Sequence, residues 1–366
     1  MAEIMSKENP VFIVGVFRSG TSLLCSLLNQ NPKISLMYEC DVWNFPRPLL
    51  KSRFKFDWAE RMEFYNNALS RHWMFTKTYQ EKLKKVHTPL DLYRAFGEKK
   101  KAAVHGEKSP FYCNRLEQLH KQYPNASFVI VWRNPVEIYR SVRKAGQGCR
   151  FFGKRGMLSR MIYLQEQAIR QAAKIEKRGA RIFRVDYANV VDHTEMVCRG
   201  LSAFLDVPFD PQMLHLNRAD LSAIYNAPHH AHLRRGIIER QKYTETLMSP
   251  RQEEKLGRYR RRWEQQQAQW LNPSSSANQS TPGGLELAYH NAVGRSLLIY
   301  DSLVRAGFEF LPLAWLRAYR GFKAWALGQP VVETFEKSPL LEERPPVMAR
   351  QTFAEGVPQL SGHDSR

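Results

Sequence analysis

The run Pro10-Val11-Phe12-Ile13-Val14-Gly15-Val16-Phe17-Arg18-Ser19-Gly20-Thr21-Ser22 constrains this chain more than any other. An unbroken apolar stretch, a turn held between two glycines and a helix-forming stretch over 21–30 read as buried strand, tight loop and helix. Such a loop turns backbone N–H groups and the positive end of a helix toward one point, which suits a phosphate. In the G-x-x-x-x-G-K-[ST] form of the loop, a Lys reaches the β- and γ-phosphates of a nucleotide. Here Gly15 and Gly20 keep the glycine places, Thr21 takes the Lys place, and a cation, Arg18, stands inside the loop. The loop therefore suits a phosphorylated donor, but not ATP hydrolysed through that Lys.

The rest of the pattern fixes the fold class. Residues 33–40, 127–132 and 181–185 read as further strands, the second an unbroken apolar run of the kind covered on both faces. Helices are expected over 115–123, 135–144, 156–178 and 194–205. This alternation predicts an α/β fold, a P-loop-type doubly wound parallel sheet flanked by helices. The aromatic-rich stretch 41–104 breaks the alternation, with helical patches near 57–70, 79–86 and 89–100, and reads as a helical insertion on the acceptor side. Ser249, Pro250 and Gln252 form an N-terminal capping signal for a helix over 249–263. A polar break follows, so the expected division is a catalytic domain over 1–271, a linker over 272–285 and an amphipathic helical extension with a loose tail over 286–366.

Composition narrows the partners. The chain of 366 residues is 43% hydrophobic, enough for a sizeable core, and carries a formal charge of +20, which favours anionic ligands. Its five cysteines are scattered without a C-x-x-C pair, arguing against a disulfide framework or structural zinc. The opening stretch has no apolar h-region and no run approaches the roughly 18 apolar residues of a membrane span, so a cytoplasmic protein is expected. His229, His230 and His232 lack neighbouring carboxylates and read as a polar loop, not a metal site. Arg258, Arg260, Arg261 and Arg262 fall late in a predicted helix, where its dipole already accounts for them, so no nucleic acid is expected.

A second motif is Val129-Ile130-Val131-Trp132-Arg133-Asn134-Pro135, with Ser141 in the helix that follows. A guanidinium fork at a strand end and a hydroxyl two turns into a helix suit one phosphate; a strand-end Arg paired with a nearby carboxylate is the plainer alternative. The strand does not end in the Asp that would hold Mg²⁺ in a nucleoside triphosphatase.

Together the two motifs resemble the sulfotransferases that use 3′-phosphoadenosine 5′-phosphosulfate (PAPS), a likeness that runs over roughly residues 10–265. The resemblance implies that Arg18, Ser19, Gly20, Thr21 and Ser22 bind the 5′-phosphosulfate and that Arg133 and Ser141 bind the 3′-phosphate. It also implies that Tyr187 lies near the adenine, although a buried core Tyr fits the sequence equally. Leu233-Arg234-Arg235-Gly236 is similar to the family's late segment around the 3′-phosphate, which would make Arg235 a donor contact. Arg18 in place of Lys is nearer the tyrosylprotein and bacterial carbohydrate branches than the small-phenol branch. The implied catalytic base is Glu39, with Glu107 and then His105 as rivals, and Lys108 matches the Lys on the leaving side of the donor.

The expected activity is transfer of a sulfuryl group to a hydroxyl of a carbohydrate, glycolipid or protein tyrosine, without a metal. A divergent P-loop kinase or nucleoside triphosphatase, or a non-catalytic binding protein of the same fold, are the alternatives. Residues 296–327 are amphipathic and basic, suiting packing on the domain or on a second subunit, or contact with the inner face of an anionic membrane.

Overall fold

The computed structural model describes residues 9–39, 43, 89–147, 151–219, 231–236, 238–240, 247–271, 282–310, 315, 318 and 322. The expected helical patches near 57–70 and 79–86, residues 272–281 of the expected linker and the tail beyond 322 lie outside the described residues.

Strand β1 (Val11–Val14) leads through the glycine loop into α1 (Thr21–Leu28), followed by β2 (Ile34–Tyr38). Helix α2 (Pro89–Gly97) precedes β3 (Val104–Lys108), and α3 (Leu116–Gln122) precedes β4 (Ser127–Trp132). Helices α4 (Pro135–Gly146) and α5 (Met157–Glu176) lead to β5 (Arg181–Asp186). The chain continues through α6 (Tyr187–Asp192), α7 (Thr194–Phe204), α8 (Pro250–Leu271) and α9 (Gly284–Phe310).

Every strand pair is parallel, in the order β2-β3-β1-β4-β5. Connections therefore leave the central β1 toward both edges, as the strand–helix alternation predicts. Strands β1 and β4 are buried along their whole length, which is why they read as unbroken apolar runs. Their alternate residues serve two layers. Phe12, Val14, Phe128 and Ile130 pack with Tyr93, Leu116 and Met161 from α2, α3 and α5. Val11, Ile13, Val129 and Val131 pack with Leu24, Leu27, Cys198 and Leu201 from α1 and α7.

Strand β3 is not among the strands expected from sequence, because Val-His-Gly-Glu-Lys carries no apolar run. It forms where it does because Gly106 lets two backbones meet: a Cβ there would lie 1.8 Å from the Val11 carbonyl oxygen. Helix α8 begins with the expected reciprocal cap. The Gln252 N–H donates to Ser249 Oγ at 3.3 Å, and the Ser249 N–H to Gln252 Oε1 at 3.0 Å. Helix α9 lies along α5. Gly294 lets it come so close that a Cβ would sit 2.4 Å from the Tyr163 Cβ, and Arg160 pairs with Asp301 at 2.6 Å.

Candidate active site

The five carboxyl ends of the strands carry the candidate residues: the glycine loop after β1, Glu39 after β2, Lys108 at the end of β3, Arg133 after β4 and Tyr187 after β5. In open parallel sheets this edge, near the reversal of strand order, is where ligands bind.

The loop is held in a shape that few sequences tolerate. Arg18 and Gly20 adopt left-handed backbone, with φ of 69° and 96°. A Cβ on Gly20 would fall 2.2 Å from the Tyr187 ring, and one on Gly15 2.7 Å from the Val131 carbonyl oxygen. Helix α1 starts at Thr21 without a side-chain cap and without an acidic residue in its first turn. Its first N–H groups thus lack intrahelical acceptors and point into the loop. Ser19 is fully buried, and its Oγ has no hydrogen-bond partner among the described residues. A buried hydroxyl in that state costs about 1–3 kcal/mol, which an anion in the loop would offset by accepting its proton.

The two motifs form one continuous cluster, not two separate pockets. Arg18 Nε donates to Ser141 Oγ at 3.0 Å, and Arg133 Nη1 donates to the Arg18 carbonyl oxygen at 2.9 Å. Arg133 also pairs with Glu137 at 3.1 Å, while its guanidinium lies 4.0 Å from the centre of the Tyr187 ring. Tyr187 thus packs against Gly20 and also lies against the Arg133 guanidinium. Arg133 and Tyr187 also wall a cavity of about 200 Å³ with Trp132, Arg240, Arg260 and Trp263.

Glu39 and Lys108 meet at the other side of the loop. The Glu39 N–H donates to the Lys108 carbonyl oxygen at 2.8 Å, and φ is 49° at Glu39. Lys108 Nζ donates to Glu39 Oε1. The Lys108 side chain is 0% exposed and that of Glu39 25%, so the carboxylate is the reachable member of the pair. Burial pulls the Lys108 pKa down, but Glu39 and then Tyr38 outweigh it and hold the ammonium above its ordinary value.

The rivals of Glu39 lie elsewhere. Glu107 is fully buried on the opposite face of β3, where its Oε2 accepts from the hydroxyls of Tyr93 at 2.7 Å and Tyr112 at 2.8 Å. Tyr112 Oη in turn accepts from the Trp43 N–H at 3.2 Å. His105 stands near the amino-terminal end of β3, roughly 10 Å of strand away from Lys108. Burial lowers its pKa. Arg235 is exposed after a single helical turn, Ala231–Arg234, and precedes Gly236, whose φ of 71° brings it against Asn217.

Two members of the site are missing from the sequence expectations. Glu137, in the first turn of α4, pairs with Arg133 and is the carboxylate partner in the plainer alternative for a strand-end Arg. Tyr38 lies under Lys108, its hydroxyl 2.7 Å from Ser22 Oγ and its ring centre 3.7 Å from Lys108 Nζ. It becomes visible only once β3 is known to pair with β2, with Tyr38 opposite Lys108.

Among known proteins, the model described as the Sulfotransferase family matches residues 10–211. A protein-tyrosine sulfotransferase of Drosophila melanogaster is 27% identical over 57% of this chain and 40% of its own length. Protein-tyrosine sulfotransferase A of Caenorhabditis elegans is 25% identical over 56% of this chain and 52% of its own. The chain thus spans about half the length of these two relatives. Among solved structures, the sulfotransferase domain from the curacin biosynthetic pathway has a TM-score of 0.45 at 15% identity, covering 68% of this chain and 96% of its own.

Proposed function

This chain belongs to the Sulfotransferase family and is a sulfotransferase, and from that premise we propose that it uses PAPS to sulfate a hydroxyl, with Glu39 as base. When bound, the donor supplies the sulfuryl group and departs as adenosine 3′,5′-bisphosphate.

The loop N–H groups, Ser19, Gly20, Thr21 and Ser22 hold the 5′ side, with Arg18 as the cation inside the loop. Arg133 and Ser141 hold the ribose 3′-phosphate, Tyr187 flanks the adenine and Arg235 closes over the outer side. The unpartnered Ser19 hydroxyl, the tight glycine turn and the uncapped helix start all fit an anion in the loop. Glu39 Oε accepts the acceptor's hydroxyl proton as its oxygen bonds to sulfur, a contribution of about 10²–10⁴-fold for a well-placed base. Arg18 and, from behind Glu39, the buried Lys108 ammonium stabilise the charge that gathers on the departing oxygens, and a preorganised cation lowers the barrier most where charge develops. The single observation that carries this reading is the Glu39–Lys108 pair set beside the phosphate-type loop.

No metal is assigned to the chemistry, since Arg133 stands where a Mg²⁺-binding Asp would end β4. Turnover with PAPS is expected to persist in EDTA; loss on chelation with recovery on adding Mg²⁺ would contradict this.

For the acceptor, the named relatives and the charge of +20 favour a tyrosine hydroxyl in an acidic peptide. Three arginines of α8 have carboxylate partners, Arg258 with Glu254 and Glu286, Arg260 with Glu264 and Arg262 with Glu166, which speaks against a nucleic-acid surface there. Within 296–327, Ile299, Tyr300, Leu303, Trp315 and Phe322 are exposed, which supports a peripheral contact with an anionic membrane on the cytoplasmic side. No helix among the described residues is long and apolar enough to cross a membrane.

The deciding experiment incubates ³⁵S-labelled PAPS with a cell extract and sorts the product into protein, glycan and lipid. Label on peptidyl tyrosine supports the reading, and label in glycan or lipid redirects the acceptor. Failure to bind adenosine 3′,5′-bisphosphate by calorimetry overturns the donor assignment itself.

A further inference from the structure

We propose that Tyr38 is a positioning residue that ties the phosphate-type loop to the Lys108–Glu39 pair, so that donor binding and catalytic charge are set by one side chain. The inference rests on the reading of the site just given and concerns a residue that no sequence motif singles out.

Tyr38 ends β2 with Lys108 as its partner across the parallel ladder, which places both side chains on the same face. The Tyr38 side chain makes two different contacts at once. Its ring face meets Lys108 Nζ at 3.7 Å, and its hydroxyl meets Ser22 Oγ at 2.7 Å. Lys108 has no exposed surface, so the ring and the Glu39 carboxylate take the place of water around the ammonium. The groups facing Lys108 are Glu39 and Tyr38 from the β2 side and Cys25 from α1.

Either hydroxyl can donate in the Tyr38–Ser22 bond, and the surroundings set only that the phenol keeps its proton. Burial first, then Glu39, push the Tyr38 phenol up to about 12, so it keeps its proton over the working range. A phenol that donates to Ser22 Oγ leaves the serine's own proton for an anionic oxygen in the loop. The ring, meanwhile, fixes where the ammonium stands when an incoming anion competes with Glu39 for it. The two halves of Tyr38 thus have separable jobs: the hydroxyl orients a donor-binding group, and the ring holds a group that acts in the transition state.

Two substitutions separate them. Tyr38→Phe keeps the ring and loses one neutral hydrogen bond, so KM for PAPS and Kd for adenosine 3′,5′-bisphosphate rise about 3–10-fold with kcat within about twofold. Tyr38→Leu also removes the cation–π contact, so kcat falls about tenfold and the alkaline limb of its pH profile moves to lower pH. Calorimetry, kcat and KM across pH, and Tm are measured for both variants and for Lys108→Met. If Lys108→Met lowers kcat while Tyr38→Leu changes only Tm, the role of Tyr38 is purely structural and the inference fails alone. If Lys108→Met itself leaves kcat unchanged, the reading of the site fails with it. If Phe and Leu variants behave identically in kcat and pH profile, the proposed division between ring and hydroxyl is wrong.

Discussion

A lysine shut away from water keeps its charge only where neighbours replace the solvent, and Lys108 has such neighbours in Glu39 and Tyr38. Glu39→Gln leaves a polar partner for the ammonium but cannot take a proton, so kcat is expected to fall about 10²–10⁴-fold while the fold survives. Circular dichroism beside single-turnover transfer checks this, and an unaltered rate would remove Glu39 as base. Ser19 allows a cleaner separation. Its Oγ has no partner among the described residues, so Ser19→Ala is expected to cost the free protein little stability, yet to weaken binding of adenosine 3′,5′-bisphosphate by about 3–10-fold. Equal losses of Tm and affinity would mean the hydroxyl serves the fold. The residues legible in sequence were those whose motif spacing is local: Arg18 to Ser22, Arg133 and Ser141. Tyr38 was not legible, since its importance depends on a residue far along the chain that lies beside it only through strand pairing.

Strand β3 explains most of what the sequence hid at the scale of elements. Strands β1 and β4 announce themselves because both faces are apolar, whereas β3 buries a carboxylate and an ammonium on opposite faces and satisfies each with partners brought from elsewhere. Helix α6 is hidden in the sequence for a related reason. Asp186 ends β5 and also caps the next helix, its Oδ1 accepting from the Ala188 N–H at 2.7 Å, so no spacer separates the two elements. Gly106 is the point on which β3 depends. With the Val11 carbonyl oxygen 1.8 Å from a would-be Cβ, Gly106→Ala forces β1 and β3 apart and is expected to cost about 3 kcal/mol or more. Urea unfolding tests it; a loss below about 1 kcal/mol would show that the ladder can shift to admit a methyl group. Helix α8 offers the mild counterpart, because breaking its reciprocal cap with Ser249→Ala removes only about 1 kcal/mol.

Across the whole molecule, α9 is joined to α5 by charge, by close backbone approach and by a buried histidine. His290 Nδ1 lies 2.7 Å from Ser159 Oγ, and burial, reinforced by Lys255, lowers the imidazole from 6.5 to about 4. Its folded value lies below its unfolded one, so the unfolded chain takes up the extra proton as pH drops. Stability from this contact is therefore complete above about pH 6.5 and is lost progressively toward pH 4. His290→Gln keeps a polar side chain without that titration, and should flatten the fall of Tm between those limits; an unchanged slope would assign the acid sensitivity elsewhere. The expected extension after the linker is thus legible as a helix, but its seat against α5 is not, since Gly294 and Asp301 find their partners on a distant helix. From Asp301 a short relay of side chains runs inward: Arg160 lies 5.7 Å from the Phe151 ring, and Phe151 lies 6.2 Å from Phe17, the neighbour of Arg18. A biochemist who trims the chain to the portion shared with its relatives would discard this strut. The constants measured on such a fragment would describe a loosened cousin of the enzyme.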